Sequence, residues 1–174
     1  ESFVFTAADA FGQAAITFTS QNMGAKQYKR CDRAILLGYL GAGGISAILG
    51  IVILYFGVPL TRIYSSDPEV IEAAMVKMWY FLPFEIFNAG MIAGAGAMRG
   101  LGYSVLPTVV SLAGVCGIRL IWIVTVFAYF QTVESLYLVY PFSWGITALV
   151  HVICILIVRK KIYKRDPVPV AESL

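Results

Sequence analysis

Hydrophobic residues in this chain run in long blocks broken by short polar stretches. Blocks of about 20 mostly apolar residues, the length a helix needs to cross the hydrocarbon layer, occupy residues 2–20, 34–57, 70–98, 106–130 and 135–158. The pattern predicts an all-α, polytopic membrane bundle of about five transmembrane helices. Local punctuation supports the divisions. In "SDPEVIEAA", Asp67 can cap a helix, Pro68 suits its first turn, and acids lie near its positive end. That first turn is polar and is expected outside the hydrocarbon core. Pro59 and Pro107 mark a span end and a span start in the same way.

Composition strengthens the membrane reading. The chain is 59% hydrophobic and 13% charged, against about 25% charged and roughly 45–50% apolar in a soluble domain. A water-soluble domain of this composition would lack the polar surface to cover itself, so the excess is expected to face lipid. Cys31, Cys116 and Cys154 are odd in number and far apart. They make neither a disulfide framework nor a zinc site, and read as small buried hydrophobes.

The net charge of +3 does not point to nucleic acid, because the basic residues are sorted by loop. "NMGAKQYKRCDR" holds Lys26, Lys29, Arg30 and Arg33; the link after the third block holds Arg99; the tail holds Arg159, Lys160, Lys161, Lys164 and Arg165. With five spans these three groups share one side, which the positive-inside rule makes cytoplasmic. The opposite loops hold Arg62 with Asp67, Glu69 and Glu134. A cytoplasmic C-terminus and an odd number of spans put residue 1 outside. The chain opens on "ESFVF" without a flanking loop, so an upstream span is expected, and residues 1–165 read as a partial transmembrane lobe. Residues 166–174 are expected to form a disordered cytoplasmic tail.

Ionisable groups inside spans are expensive and by default suggest function. Glu85, in "FLPFEIFNAGMIAGAGAMRGLG", is the clearest. Counted from Met75 it lies ~15 Å into the hydrocarbon, near the midplane. Glu85, Asn88, Ile92, Gly96 and Arg99 share one face at helical spacing. Ala89, Ala93 and Ala97, and Gly90 and Gly94, recur every fourth residue, the pattern that lets membrane helices approach closely. Pro83 frees a carbonyl one turn back and permits a kink. Asp9 and Gln13 share a face of the first block, with Asp9 either a second coupling acid or a hydrogen-bonded structural group. Arg119 lies past the middle of its span and is expected to meet Glu85 or Asp9, as part of a site or as a static ion pair. Lys77 is expected to snorkel. His151 is read as a helix–helix hydrogen bond. The aromatics Trp79, Tyr80, Tyr129, Phe130, Tyr137 and Tyr140 fit an interfacial belt, though some could line a cavity for flat organic molecules.

No phosphate loop, H-E-x-x-H or metal-ligand cluster is present. Instead three stretches, taken in order, carry a resemblance: "FGQAAITFTSQNMGAKQYKRCDRA", "GAMRGLGYSVLP", and "GIRLIWIVTVF" followed by "VYPFSWGITALV". Together they resemble helices eight to twelve of the twelve-helix multidrug and toxic compound extrusion (MATE) transporters. The resemblance implies two six-helix lobes around a cavity that opens to alternate sides. It also implies export of organic, often cationic, compounds against inward Na⁺ or H⁺. No cofactor beyond that coupling ion is expected. The implied partners are small organic substrates, the lipid bilayer and an N-terminal lobe of the same chain, with no nucleic acid; the implied location is the plasma membrane. One branch of the family carries an acid where Asn88 stands. Here that position is an amide and the acid is Glu85, which leaves open whether this lobe or acids of helices one and seven hold the ion.

The cavity candidates are therefore Glu85, Asn88, Arg119, Asp9 and Gln13, with no catalytic and no metal-ligating residue. Competition between coupling ion and cargo for the Glu85 carboxylate would couple two flows, because each would favour a different opening. Two alternatives stand beside this antiporter. One is a flippase for lipid-linked saccharides, expected to need a more cationic cavity than Arg119 alone supplies. The other is a non-transporting membrane subunit or membrane-embedded enzyme.

Overall fold

The computed structural model describes residues 2–165, and every regular element among them is helical. The expected tail at 166–174 lies outside the described residues. Helix α1 spans Ser2–Gly24 and closes where Lys26 turns left-handed (φ 57°). There Gln27 N–H donates to Asn22 O at 2.8 Å and Lys26 N–H to Met23 O at 3.0 Å, satisfying carbonyls that the helix end would leave open. Helix α2 spans Tyr28–Tyr55 and α3 spans Gly57–Arg62. Helix α4, Pro68–Phe81, starts on the expected cap: Asp67 Oδ1 accepts Glu69 N–H at 3.0 Å.

A 3-10 turn, Leu82–Phe84, then separates α4 from α5, Glu85–Gly100. Pro83 sits in that turn, as its missing N–H requires. Helix α5 ends at Gly102, whose φ of +90° only glycine adopts freely, with Tyr103 N–H donating to Met98 O at 3.0 Å. Arg99 thus belongs to the last turn of α5 rather than to the link beyond it. Helices α6 (Val105–Ser111), α7 (Ile118–Trp122) and α8 (Ala128–Phe130) are joined into one rod by wider, π-type stretches at Leu112–Gly117 and Ile123–Phe127. Helix α9 spans Val133–Arg165.

Four rods are long and apolar enough to cross a membrane: Tyr28–Tyr55, Pro68–Gly100, Val105–Phe130 and Val133–Lys164. The first expected span is a helix of 23 residues but is not one of these four, since Asp9, Gln13, Gln21 and Asn22 dilute its apolar content. The molecule is an all-α polytopic membrane bundle. Its outer surface carries exposed Leu36, Leu37, Leu40, Ile51, Val124 and Leu149, the reverse of a water-soluble exterior and suited to lipid.

Helix α5 is the hub, packed on α1, α2 and α9. Ala8, Ala42, Ala89 and Ala93 form a buried patch among α1, α2 and α5. At Gly96 a Cβ would stand 2.6 Å from the Gly12 carbonyl oxygen, so α1 and α5 meet backbone to backbone, as the small-residue spacing predicts. A larger cluster of Ile35, Met98, Leu101, Ile155 and Val158 fills one end. At that end α2 begins and α9 finishes. Arg159 Nη2 donates to Asp32 Oδ2 at 2.7 Å, and the Tyr163 hydroxyl donates to the same oxygen at 2.6 Å. The basic loop and basic tail therefore share one end of the bundle.

Candidate functional site

Glu85 opens α5 immediately after the 3-10 turn, which sets its side chain inward: it is 3% exposed, and Asn88 6%. One helical turn separates them, and Asn88 Nδ2 donates to Glu85 Oε2 at 2.9 Å. That bond offsets part of the cost of holding a carboxylate away from water. The two residues line a cavity of about 290 Å³, with Ser2, Phe5 and Thr6 from α1, Phe81 from α4, and Tyr140 and Trp144 from α9. Its aromatic wall is continuous. The Phe81 and Tyr140 rings lie 4.7 Å apart, Phe81 and Trp144 6.0 Å, and Tyr140 and Trp144 5.9 Å. A carboxylate facing clustered ring faces is the pairing that recognises organic cations, through charge and through cation–π attraction.

Arg119 departs from expectation. Its Nε donates to Ser143 Oγ at 3.3 Å, and its guanidinium carbon lies 4.2 Å from the Tyr140 ring centroid; neither Glu85 nor Asp9 is its partner. The reason is the packing order: α7 lies on α9, and α9 on α5. Arg119 therefore meets a hydroxyl and a ring of α9; that ring, Tyr140, lines the cavity, and Arg119 is not among the lining residues. It occupies the short α-helical piece between the two π-type stretches. Lys77, expected to snorkel, has its Nζ 5.2 Å from the Phe81 ring centroid. Both cations thus abut rings of the same wall.

Asp9 and Gln13 do share a face, but of another cavity. This one, about 180 Å³, is lined by Asp9, Gly12, Gln13 and Ile16 of α1, by Met91, Ile92, Ala95, Gly96 and Arg99 of α5, and by Ser111 of α6. The polar face of α5 read from the sequence therefore splits. Glu85 and Asn88 face the aromatic cavity, while Gly96 and Arg99, ~12–17 Å beyond Asn88, line the cavity of Asp9. Sequence reasoning missed Phe81 and Trp144 altogether and weighed Tyr140 mainly as an interfacial residue. The four-residue spacing of Tyr140 and Trp144 on one face of α9 was the available signal. Trp79, Tyr129 and Phe130 are widely exposed, in keeping with a belt. His151 is fully buried, and its Nε2–H points to Pro107 O at 3.4 Å, a helix–helix hydrogen bond. Among the described residues no cluster of three or more His, Cys, Asp or Glu could hold a metal ion.

The MatE family model matches residues 1–125, which include both cavity-lining faces of α1 and α5. The chain belongs to the MATE family. Among curated proteins, the MATE chain is 30% identical over 138 residues to a probable multidrug resistance protein NorM of Thermotoga maritima, a match covering 75% of this chain and 28% of that protein. A second probable NorM, from Aromatoleum aromaticum, is 25% identical over 111 residues, 64% of this chain and 24% of its own length. A FAD transporter of Shewanella oneidensis is 32% identical over 72 residues, 41% of this chain and 16% of that protein. The MATE chain thus spans 28% or less of the curated relatives it matches.

Proposed function

We propose that this chain is part of a secondary active antiporter of the plasma membrane, its C-terminus cytoplasmic. It exports organic, often cationic, compounds in exchange for Na⁺ or H⁺ by alternating access. One observation carries the reading: the buried Glu85–Asn88 pair faces an aromatic-walled cavity. In this mechanism the Glu85 carboxylate takes either the coupling ion or the positive group of the cargo, and Asn88 fixes its orientation. Phe81, Tyr140 and Trp144 hold the flat part of the cargo. Loading by ion or by cargo stabilises different openings, and that difference couples the two flows. Asp9 and Gln13 offer a second carboxylate face for the ion.

The test uses the full-length protein in inverted vesicles, following efflux of a cationic dye such as ethidium under Na⁺ or proton gradients. Glu85→Gln is expected to abolish gradient-driven dye movement while the protein stays folded and inserted. Wild-type transport by Glu85→Gln at every pH would make Glu85 structural and overturn the reading. A second reading, a planar anionic cargo, draws on Lys77 against Phe81 and Arg119 against Tyr140, and on the relative named a FAD transporter. Competition by FAD but not by organic cations would favour it.

A further inference from the structure

Two apolar grooves run inward from the basic end of the bundle, and they differ in one respect. The groove between α2 and α9, about 250 Å³, has Asp32 and Arg159 at its mouth, but these two already form an ion pair with one another. The groove between α1 and α2 is larger, about 370 Å³, with Phe11 and Phe18 on one wall, Leu37 on the other, and Arg30, Arg33 and Asn22 at its mouth. Among the described residues neither Arg30 nor Arg33 has an acid partner.

We propose that the α1–α2 groove is a binding site for an anionic phospholipid, its phosphate held by Arg30 and Arg33 and an acyl chain lying along Phe11, Phe18 and Leu37. Three features fit this occupant. The arginines are three residues apart near the start of α2, on one face, so both guanidiniums can reach one phosphate. From Arg30 to Gly38 the groove descends ~12 Å along the helix axis, from the charged loop into the apolar belt, which matches the polarity gradient of a lipid. It is also open sideways: Phe18 is 57% and Leu37 65% exposed. Basic pockets between membrane helices are where acidic headgroups settle. With no acid partner for Arg30 or Arg33 among the described residues, their charge selects an anionic headgroup over a zwitterionic one.

The experiment takes the full-length protein in detergent and titrates it with phosphatidylglycerol or phosphatidylcholine of identical acyl chains, reading bound lipid by native mass spectrometry. Wild type is expected to retain phosphatidylglycerol preferentially. Each arginine contributes roughly fivefold and the pair about 25-fold, so Arg30→Gln/Arg33→Gln should lose about that factor while phosphatidylcholine binding stays unchanged. Ala14→Trp, which fills the groove without altering charge, should weaken both lipids. Lys160→Gln/Lys161→Gln, on the basic tail, should change neither. Should the double glutamine variant misfold, Arg30→Lys/Arg33→Lys keeps the charge and is expected to keep the preference. Equal retention of the two lipids by wild type, unchanged phosphatidylglycerol binding in the glutamine variant, or an equal loss in the Lys160/Lys161 control each overturns the site.

Discussion

Glu85 and Asn88 show how far a single residue type at a single spacing carries. A carboxylate and an amide three positions apart in an apolar helix must share a face, and the hydrogen bond between them at 2.9 Å follows from the helix repeat alone. What stands opposite them is not local information. Arg119 has several polar groups within plausible reach along the chain, and only the stacking of α7 on α9 selects Ser143 and Tyr140. Glycines are legible in the same partial way: their four-residue spacing announces close helices, but not which ones touch. Gly96 and Gly44 separate the two cases. A Cβ at Gly96 meets the Gly12 backbone at 2.6 Å, whereas one at Gly44 meets nothing within 4 Å. Gly96→Ala is therefore expected to destabilise the protein by about 1–3 kcal/mol through overpacking against backbone that cannot yield. Gly44→Ala should be neutral or slightly stabilising. Thermal unfolding of the two purified variants checks this, and equal midpoints would mean α1 can slide away from α5 freely.

At the scale of elements, the sequence anticipates helix starts better than helix continuity. The Asp67–Pro68 cap is a local device and is found where the residues imply. The π-type widening on either side of Arg119 has no residue signature in the sequence, and both widened stretches touch α9. Pro83 falls between these cases. It removes the donor that the Trp79 carbonyl would otherwise bond, and the ladder relaxes into the 3-10 turn Leu82–Phe84 directly before Glu85. In the proposed transport cycle this kink, next to a buried acid, is the point on which α5 turns against α4. Pro83→Ala should restore a continuous helix, so Tm is expected to hold or rise while the rate of gradient-driven efflux falls. Transport at the wild-type rate in a thermally stabilised Pro83→Ala protein would deny the turn any part in the transport cycle.

Across the whole molecule, the charge sorting along the sequence implies that loop and tail share a side, and α2 and α9 do meet at one end. It does not imply a specific contact, because Asp32 and Arg159 lie 127 residues apart and Asp32 looks like a minor member of a basic loop. The contact ties the rod that starts at the basic loop to the rod that ends in the basic tail. The Tyr163 hydroxyl and the 5.4 Å approach of the Tyr28 and Tyr163 rings reinforce it. The pair is partly open to solvent, with side chains 43% and 27% exposed for Arg159 and Asp32, so its worth is modest. A double-mutant cycle of Asp32→Asn and Arg159→Gln should give a coupling of about 0.5–1 kcal/mol in low salt, shrinking as ionic strength rises. Tyr163→Phe removes a short hydrogen bond to a carboxylate and should cost a further ~1 kcal/mol, with weaker salt dependence. A coupling indistinguishable from zero at low salt would leave the apolar cluster of Ile35, Met98, Leu101, Ile155 and Val158 as what joins these two ends, with the ion pair a passenger on it.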